Sequence, residues 1–282
     1  MDSKELTVVI VTFKSETKIL DCLNSIGDQA NIIVVENSQN IDFKKELEKK
    51  FSNLKCILTN ENLGYATANN IGLKQVKTKY ALILNPDTIL DKNAITRFLK
   101  SIKKIKDFWL MGPGNHQMVE WDFGNNELIE VANLKGFAIF INLSKFNNEY
   151  FDEKYFLYFE EIDLCKRVKK KNGKIYLDRL IKIDHQGSKS VDNFDKFELE
   201  KNRNWHWMWS TFYFHKKYKG FLLAFIIVFP KLFSSLVKTI IYSLLFNKNK
   251  RDIYYCRLSG IVNSIVGNKS WYRPSLDWFI LF

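Results

Sequence analysis

Two acids and an imidazole stand where apolar runs of this sequence stop, and such groups hold cations or exchange protons. Asp87 follows the run Leu82-Ile83-Leu84 and the breaker Asn85-Pro86. Pro86 drives Asn85 out of helical geometry, so Asp87 is predicted just past the carboxyl end of a strand, where open α/β sheets bind ligands. On its own, Asn-Pro-Asp is an ordinary turn. His185 closes a second β-like run, Ile181-Lys182-Ile183-Asp184. A lone strand-end histidine is usually structural, but an imidazole and a carboxylate that converge can hold a divalent cation. Glu161 opens a helical pattern with Leu164, Cys165 and Val168, whereas Glu160, Asp163 and Arg167 fall on a neighbouring face. Glu161 is therefore the acid predicted to face a pocket, and Asp163 and Arg167, four apart, are predicted to pair in support. The bland alternative for both glutamates is charge complementarity to a helix N-terminus. Burial raises a carboxylate's pKa and the first helical turn lowers it, so the direction is open at this point.

The elements that must position these groups alternate. Residues 6–13, 32–35, 56–58 and 80–84 read as strands, with apolar-periodic helices after residue 15 and over 66–76. Such alternation predicts a mostly parallel sheet with helices on both sides. A basic helix follows Asp91 as far as Lys106, then a loop-rich insertion over 112–131 with His116 and Trp121. Residues 135–141 read as a strand in which Gly136 permits close backbone approach, and 174–177 as a short strand. No GxGxxG follows the first strand and no GxxxxGK[ST] is present, so a nucleotide phosphate would have to be held by other means. A metal on Asp87 is the obvious means.

Bulk properties narrow the class. The 282 residues are 46% hydrophobic and 26% charged, which excludes wholesale disorder. A net charge of +12 calls for an anionic partner without choosing among nucleic acid, anionic lipid and a phosphorylated small molecule. The four cysteines form no CxxC pair, which points to free thiols rather than a zinc site or disulfide framework. Residues 1–5 run into the first strand without a signal-peptide core, so a cytosolic or cytosol-facing protein is expected.

Taken together and in order, Val11-Thr12-Phe13, Val35-Glu36-Asn37-Ser38, Asn60-Glu61-Asn62-Leu63-Gly64-Tyr65, Asn69-Asn70-Ile71-Gly72, Asn85-Pro86-Asp87, Phe151-Asp152-Glu153, Glu160-Glu161-Ile162-Asp163-Leu164-Cys165-Lys166-Arg167 and His185-Gln186-Gly187-Ser188 resemble the family 2 glycosyltransferases, in particular the bacterial rhamnosyltransferase-like branch. The resemblance covers roughly residues 6 to 220. It implies a GT-A fold, a nucleotide-sugar donor, Mg²⁺ or Mn²⁺, and inversion at the anomeric carbon. Thr12 and Glu36 would contact base and ribose, while Asn62, Gly64 and Asn69 would line the donor pocket. Asn85 would stand in for the first acid of a DxD motif and Asp87 would be its surviving acid, with His185 completing the metal site. Glu161 would be the general base, supported by Glu160, Asp163 and Arg167. Glu36 and Glu161 depart from the Asp that the family commonly carries, which lengthens each side chain by a methylene.

From residue 202 the composition changes, and the chain is predicted to divide into a catalytic domain over 1–200 and a helical region over 201–282. His206 and His215, on an aromatic helix, read as packing or interface residues. Residues 221–246 are mostly apolar but interrupted by Pro230, Lys231 and Lys238, so no run reaches the roughly 18 to 20 uncharged residues of a spanning helix. Nine basic residues and one acid, Asp252, lie between Lys216 and Arg257. This pattern predicts helices lying on an anionic membrane surface at the cytoplasmic face, against the alternative of a homodimer interface. A polyprenyl-diphosphate-linked acceptor in cell-surface glycan assembly would follow. The rival classes are a catalytically impaired scaffold of the same fold and a basic nucleic-acid-binding protein, the latter without any nucleic-acid module in the sequence.

Overall fold

The computed structural model describes residues 5–59, 61–105, 107–114, 126–185 and 195–273. Asn60, Lys106, His116, Trp121 and Gln186-Gly187-Ser188, singled out above, lie outside the described residues. Two compact units are present, one of Met1–Asp152 and Glu160–Asn193, the other of Glu153–Phe159 and Phe194–Phe282.

The first unit is built on an eight-stranded sheet in the order β3-β2-β1-β4-β8-β6-β9-β7. Strands β1 (Leu6–Thr12), β2 (Asn31–Glu36), β3 (Leu54–Leu58) and β4 (Tyr80–Leu84) are mutually parallel. Helices α1 (Lys18–Ile26), α2 (Ile41–Lys50) and α3 (Gly64–Gln75) connect them. All five residues of β4 are buried, which is why its sequence is a continuous apolar run rather than an alternation. Gly72 lets α3 lie close on the sheet, since a Cβ there would come 2.5 Å from Val9 Cγ1. Beyond β4 the chain forms β5 (Thr88–Leu90), α4 (Ala94–Lys104), β6 (Leu110–Pro113), β7 (Leu128–Glu130), β8 (Ala138–Asn142), α5 (Glu160–Lys170), β9 (Ile175–Asp178) and β10 (Ile183–His185). In the large sheet β8 and β7 run against the other strands, so the sheet is mostly parallel, as expected. Cys22, Cys56, Cys165 and Cys256 are buried free thiols, and burial pushes the first three up to about 12.

The second unit holds three helices, α6 (Lys196–Lys219), α7 (Phe221–Leu244) and α8 (Lys248–Ile265). Helices α6 and α8 approach closely at Gly260, where a Cβ would lie 2.3 Å from the Trp205 carbonyl. Met208, Phe212, Ala224, Val228 and Ile261 form their shared core with α7. His206 is wholly buried. Its Nε2 lies 2.7 Å from the Tyr272 carbonyl and its Nδ1 2.8 Å from Ser270 Oγ. A carbonyl only accepts, so Nε2 carries the proton and Nδ1 accepts from the serine. Pro230 and the two lysines interrupt the uncharged run but do not break α7, which runs 24 residues and by length and composition alone is long and apolar enough to cross a membrane. Helical continuity past a proline costs one backbone hydrogen bond, and two lysines can carry their charges outward on long stems.

Candidate active site

Asp87 occupies a tight turn after β4. Thr88 N–H and Thr88 Oγ1 both donate to the Asn85 carbonyl, at 3.3 and 2.7 Å, and Asn85 N–H donates to the Phe137 carbonyl at 2.9 Å. β5 and β10 then pair antiparallel with Thr88 opposite His185, so a two-stranded ribbon carries the histidine to the aspartate. His185 Nε2 lies 3.4 Å from Asp87 Oδ1, and the Asp87 side chain is 1% exposed. Among the described residues neither buried carboxylate oxygen accepts a hydrogen bond, a costly state unless a further positive group completes the site. The His185 ring is stacked on Phe137 with centroids 4.7 Å apart and planes 7° from parallel, which fixes the direction of Nε2.

These residues fit a divalent cation. Adjacent ligands of an octahedral ion stand about 3 Å apart, close to the carboxylate–imidazole separation found here. They do not suffice alone, for no cluster of three His, Cys, Asp or Glu side chains exists among the described residues. Remaining ligands would have to come from a bound anion or water.

Glu160 and Glu161 open α5. The buried stripe of this helix is broader than its sequence phase suggests: Glu160 and Asp163 are 5% and 0% exposed, and Glu161 is the less enclosed of the two glutamates. Each glutamate nevertheless has one buried oxygen, Oε2, with no hydrogen-bond partner among the described residues. Burial raises the Glu161 pKa against the opposing pull of the Glu161 and Ile162 backbone N–H groups. Burial likewise raises Glu160 well above the ordinary range, and the neighbouring Glu161 charge pushes it further. The question the sequence left open is thus decided by desolvation. Arg167 Nε reaches Asp163 Oδ2 at 2.8 Å, and its guanidinium also donates to the Tyr150 carbonyl.

Gly136 and Phe137 join the two clusters. A Cβ at Gly136 would rest 3.6 Å from Glu161 Cβ, and its carbonyl accepts the Tyr65 hydroxyl at 2.6 Å. The next residue, Phe137, carries the His185 stack and holds the Asn85 amide. Nothing in the sequence marks Tyr65 or Phe137 as a site residue: each is a single ring between a glycine and an alanine.

The proposed donor-contact residues gather at the ends of β1 and β2 and the start of α3. Thr12 and Glu36 are register partners and both buried. The Glu36 carboxylate is committed to its own turn, accepting Ser38 N–H at 2.7 Å, Asn40 N–H at 2.8 Å and the Ser38 hydroxyl. Asn62 Oδ1 accepts Gly64 N–H at 3.1 Å, and Gly64 takes a φ of 76° that favours glycine. Asn69 donates to the Tyr65 carbonyl at 2.9 Å, and its buried Oδ1 has no partner among the described residues. Asn37 was missed as a brace: it donates to the Gly64 carbonyl at 3.4 Å and accepts the Thr59 hydroxyl at 3.0 Å. Asn70, donating to and accepting from the Phe151 backbone at 2.9 Å, is a second such brace.

The family profile described as "Glycosyl transferase family 2" matches residues 7–164, more than half of the chain. The chain belongs to glycosyl transferase family 2. It is 25% identical over 195 residues to the low-salt glycan biosynthesis hexosyltransferase Agl10 of Haloferax volcanii, covering 60% of this chain and 62% of that protein. The chain spans less than two thirds of the length of the curated relatives it matches. Among solved structures it is similar to S. aureus TarS 1-349, at 15% identity and a TM-score of 0.52, over 95% of this chain and 93% of that one. The mannosyltransferase PcManGT of Pyrobaculum calidifontis, in complex with GDP-Man and Mn²⁺, is similar at 12% identity and a TM-score of 0.53, over 93% and 87%. At these identities both structures speak to the fold, which is GT-A.

Proposed function

We propose that this family member is an inverting glycosyltransferase, which moves a sugar from a nucleotide-diphosphate donor to a hydroxyl of a glycan acceptor in cell-surface polysaccharide assembly. The observation that carries the reading is the Asp87 carboxylate, buried with no hydrogen bond from the described residues, beside His185 Nε2 at a strand's carboxyl end. Asp87 and His185 would hold Mg²⁺ or Mn²⁺ together with the donor diphosphate, and the cation would supply Lewis-acid stabilisation of the charge that develops on the leaving nucleoside diphosphate. Thr12, Glu36, Asn62, Gly64, Asn69 and Asn85 would shape the donor pocket. Glu36 would do so through the turn its carboxylate organises.

Glu161 is assigned the base. As the acceptor oxygen attacks the anomeric carbon, the hydroxyl proton passes to the Glu161 carboxylate. The bond to the diphosphate breaks, and the leaving oxygen keeps its electron pair. Burial that raises the pKa of Glu161 makes its ionised form the stronger proton acceptor. Glu160 and the Asp163–Arg167 pair support the start of α5.

We assign the exposed face of α7 to an anionic membrane surface, which favours a polyprenyl-diphosphate-linked acceptor, and L-rhamnose from dTDP-rhamnose is the donor the sequence resemblance favours. The test is transfer to polyprenyl-diphosphate-linked acceptors across UDP-, GDP- and dTDP-sugars with Mn²⁺ or Mg²⁺. One donor is expected to turn over, and Glu161→Gln to lose about 10²- to 10⁴-fold in kcat while still binding that donor. Silence across the panel would favour the scaffold, and near-normal turnover by Glu161→Gln would remove the base assignment.

A further inference from the structure

The elbow between α7 and α8, both in the second unit, carries two choices of residue that work against its own stability. The first is Phe246. Asn247 N–H donates to the Tyr242 carbonyl at 3.0 Å and Phe246 N–H to the Ser243 carbonyl at 3.2 Å, the bond pair that ends a helix with one left-handed residue, a place glycine usually fills. Phe246 fills it here, with a φ of 54°, at a steric cost that glycine escapes. Its ring gains no packing in return: Phe246 is 94% exposed, beside Leu244 at 73% and Leu245 at 66%. The second choice is charge. Lys248, Lys250 and Arg251 stand in the first turn of α8 and no acid does, at the helix end where the dipole disfavours cations.

Further cations border an aromatic pair at the same elbow. Tyr242 and Tyr254 stack with ring centroids 5.5 Å apart and planes 13° from parallel. Lys238 Nζ lies 4.9 Å from the Tyr254 centroid and 3.4 Å from its hydroxyl, the Arg257 guanidinium 5.7 Å from that ring, and Lys250 Nζ 5.3 Å from the Tyr242 centroid. A neutral ring attracts a cation without cancelling its charge, so all three remain able to meet an anion. Asp252, the one acid between Lys216 and Arg257, is already paired with Arg251 at 2.7 Å. The exposed apolar stripe of α7 runs into this elbow. Phe233, Ile240 and Leu244 follow Ile226 at helical spacings on one face, and each is more than half exposed.

An apolar tip, tyrosines behind it and uncancelled cations around them fit the interface of an anionic bilayer. We propose, resting on the membrane reading of α7, that the α7–α8 elbow is the point of insertion: Leu244, Leu245 and Phe246 enter the acyl layer, and Lys238, Lys250 and Arg257 take lipid phosphates around the tyrosine pair. Burial of the Phe246 ring in lipid offsets its backbone strain, and phosphate offsets the cations crowded into the first turn of α8.

Sedimentation of the full chain with phosphatidylglycerol–phosphatidylcholine vesicles, against phosphatidylcholine alone, tests the elbow. Phe246→Gly removes the ring and abolishes the left-handed cost. It is expected to unfold at a higher temperature than wild type without lipid, yet to bind anionic vesicles about tenfold or more weakly. Phe246→Trp should restore binding. Lys238→Gln/Lys250→Gln is expected to lose about tenfold or more on anionic vesicles and nothing on neutral ones. If wild type sediments and either Phe246→Gly or the lysine pair binds as tightly, the elbow is overturned and the membrane reading stands. A lower unfolding temperature for Phe246→Gly would also overturn it, because the ring would then be holding the fold. Wild type indifferent to anionic vesicles would overturn both readings, and dimerisation lost in Phe246→Gly would then give the elbow to a second copy.

Discussion

Desolvation is the largest cause of the shifts at Glu160, Glu161 and His206, and His206 shows its consequence for stability. Burial lowers its pKa from 6.5 to about 3, against a carbonyl that holds the Nε2 proton. Above pH 6.5 the histidine is neutral in both folded and unfolded chains and contributes no pH dependence. Between pH 6.5 and 3 the unfolded chain takes up a proton that the native protein does not, so stability falls as pH falls, by up to about 1.4 kcal/mol per unit. In denaturant unfolding, His206→Gln is expected to be less stable than wild type at pH 7, and that gap should narrow by about 2 kcal/mol by pH 5. Parallel stabilities at the two values would show that His206 is not the titrating group. The sequence carried much of this residue-level picture. Asp87 lies past its strand because a proline must follow β4, and the Asp163–Arg167 pair follows from four-residue spacing. What could not be read was where each polar atom finds its partner. Glu36 looks in sequence like a ligand-facing acid, yet backbone amides of its own turn take both its oxygens. Glu160 looks peripheral by helical phase, yet it is buried more fully than Glu161.

At the scale of elements, legibility follows how much of an element is fixed by its own residues. β4 is recognisable from Tyr80 to Leu84 because all its residues are buried. α2 is obscure in sequence because Phe43 and Leu47 alone among its ten residues are buried. β5 and β10 have three residues each, and the pairing that defines them is between segments about ninety residues apart. α7 presents the opposite difficulty, a helix whose length is plain only once Pro230 is known not to break it. At about 1.5 Å per residue it is about 36 Å long. Leu222, Ile226, Phe233 and Leu244 are more than half exposed. Ser235, Thr239 and Ser243 each donate to the carbonyl four residues earlier, so these three hydroxyls are satisfied within the helix. Basic residues at 216, 217, 219, 248, 250 and 251 flank both ends. The protein is expected to sediment with vesicles containing anionic lipid, and Ile226→Glu/Phe233→Glu to weaken that binding at least about a hundredfold by removing two exposed apolar anchors. Concentration-dependent dimerisation with indifference to vesicles would assign the face to a second copy instead.

For the whole molecule, the central claim is that donor and cation bind as one. The protein offers a buried carboxylate and an imidazole and, among the described residues, no third His, Cys, Asp or Glu ligand. A nucleotide diphosphate would therefore complete the coordination, and linkage requires that nucleotide and cation each tighten the other by the same factor. Gly136 and Phe137 place Asp87 and His185 next to the helix that carries Glu161. The most direct measurement is calorimetry of Mn²⁺ binding to the full chain, alone and with UDP, GDP or dTDP, for wild type and Asp87→Asn. The account predicts weak binding by the protein alone, tightening of about tenfold or more with the matching nucleotide, and loss of that tightening in Asp87→Asn. Tight Mn²⁺ binding without nucleotide, or tightening that survives in Asp87→Asn, would contradict it.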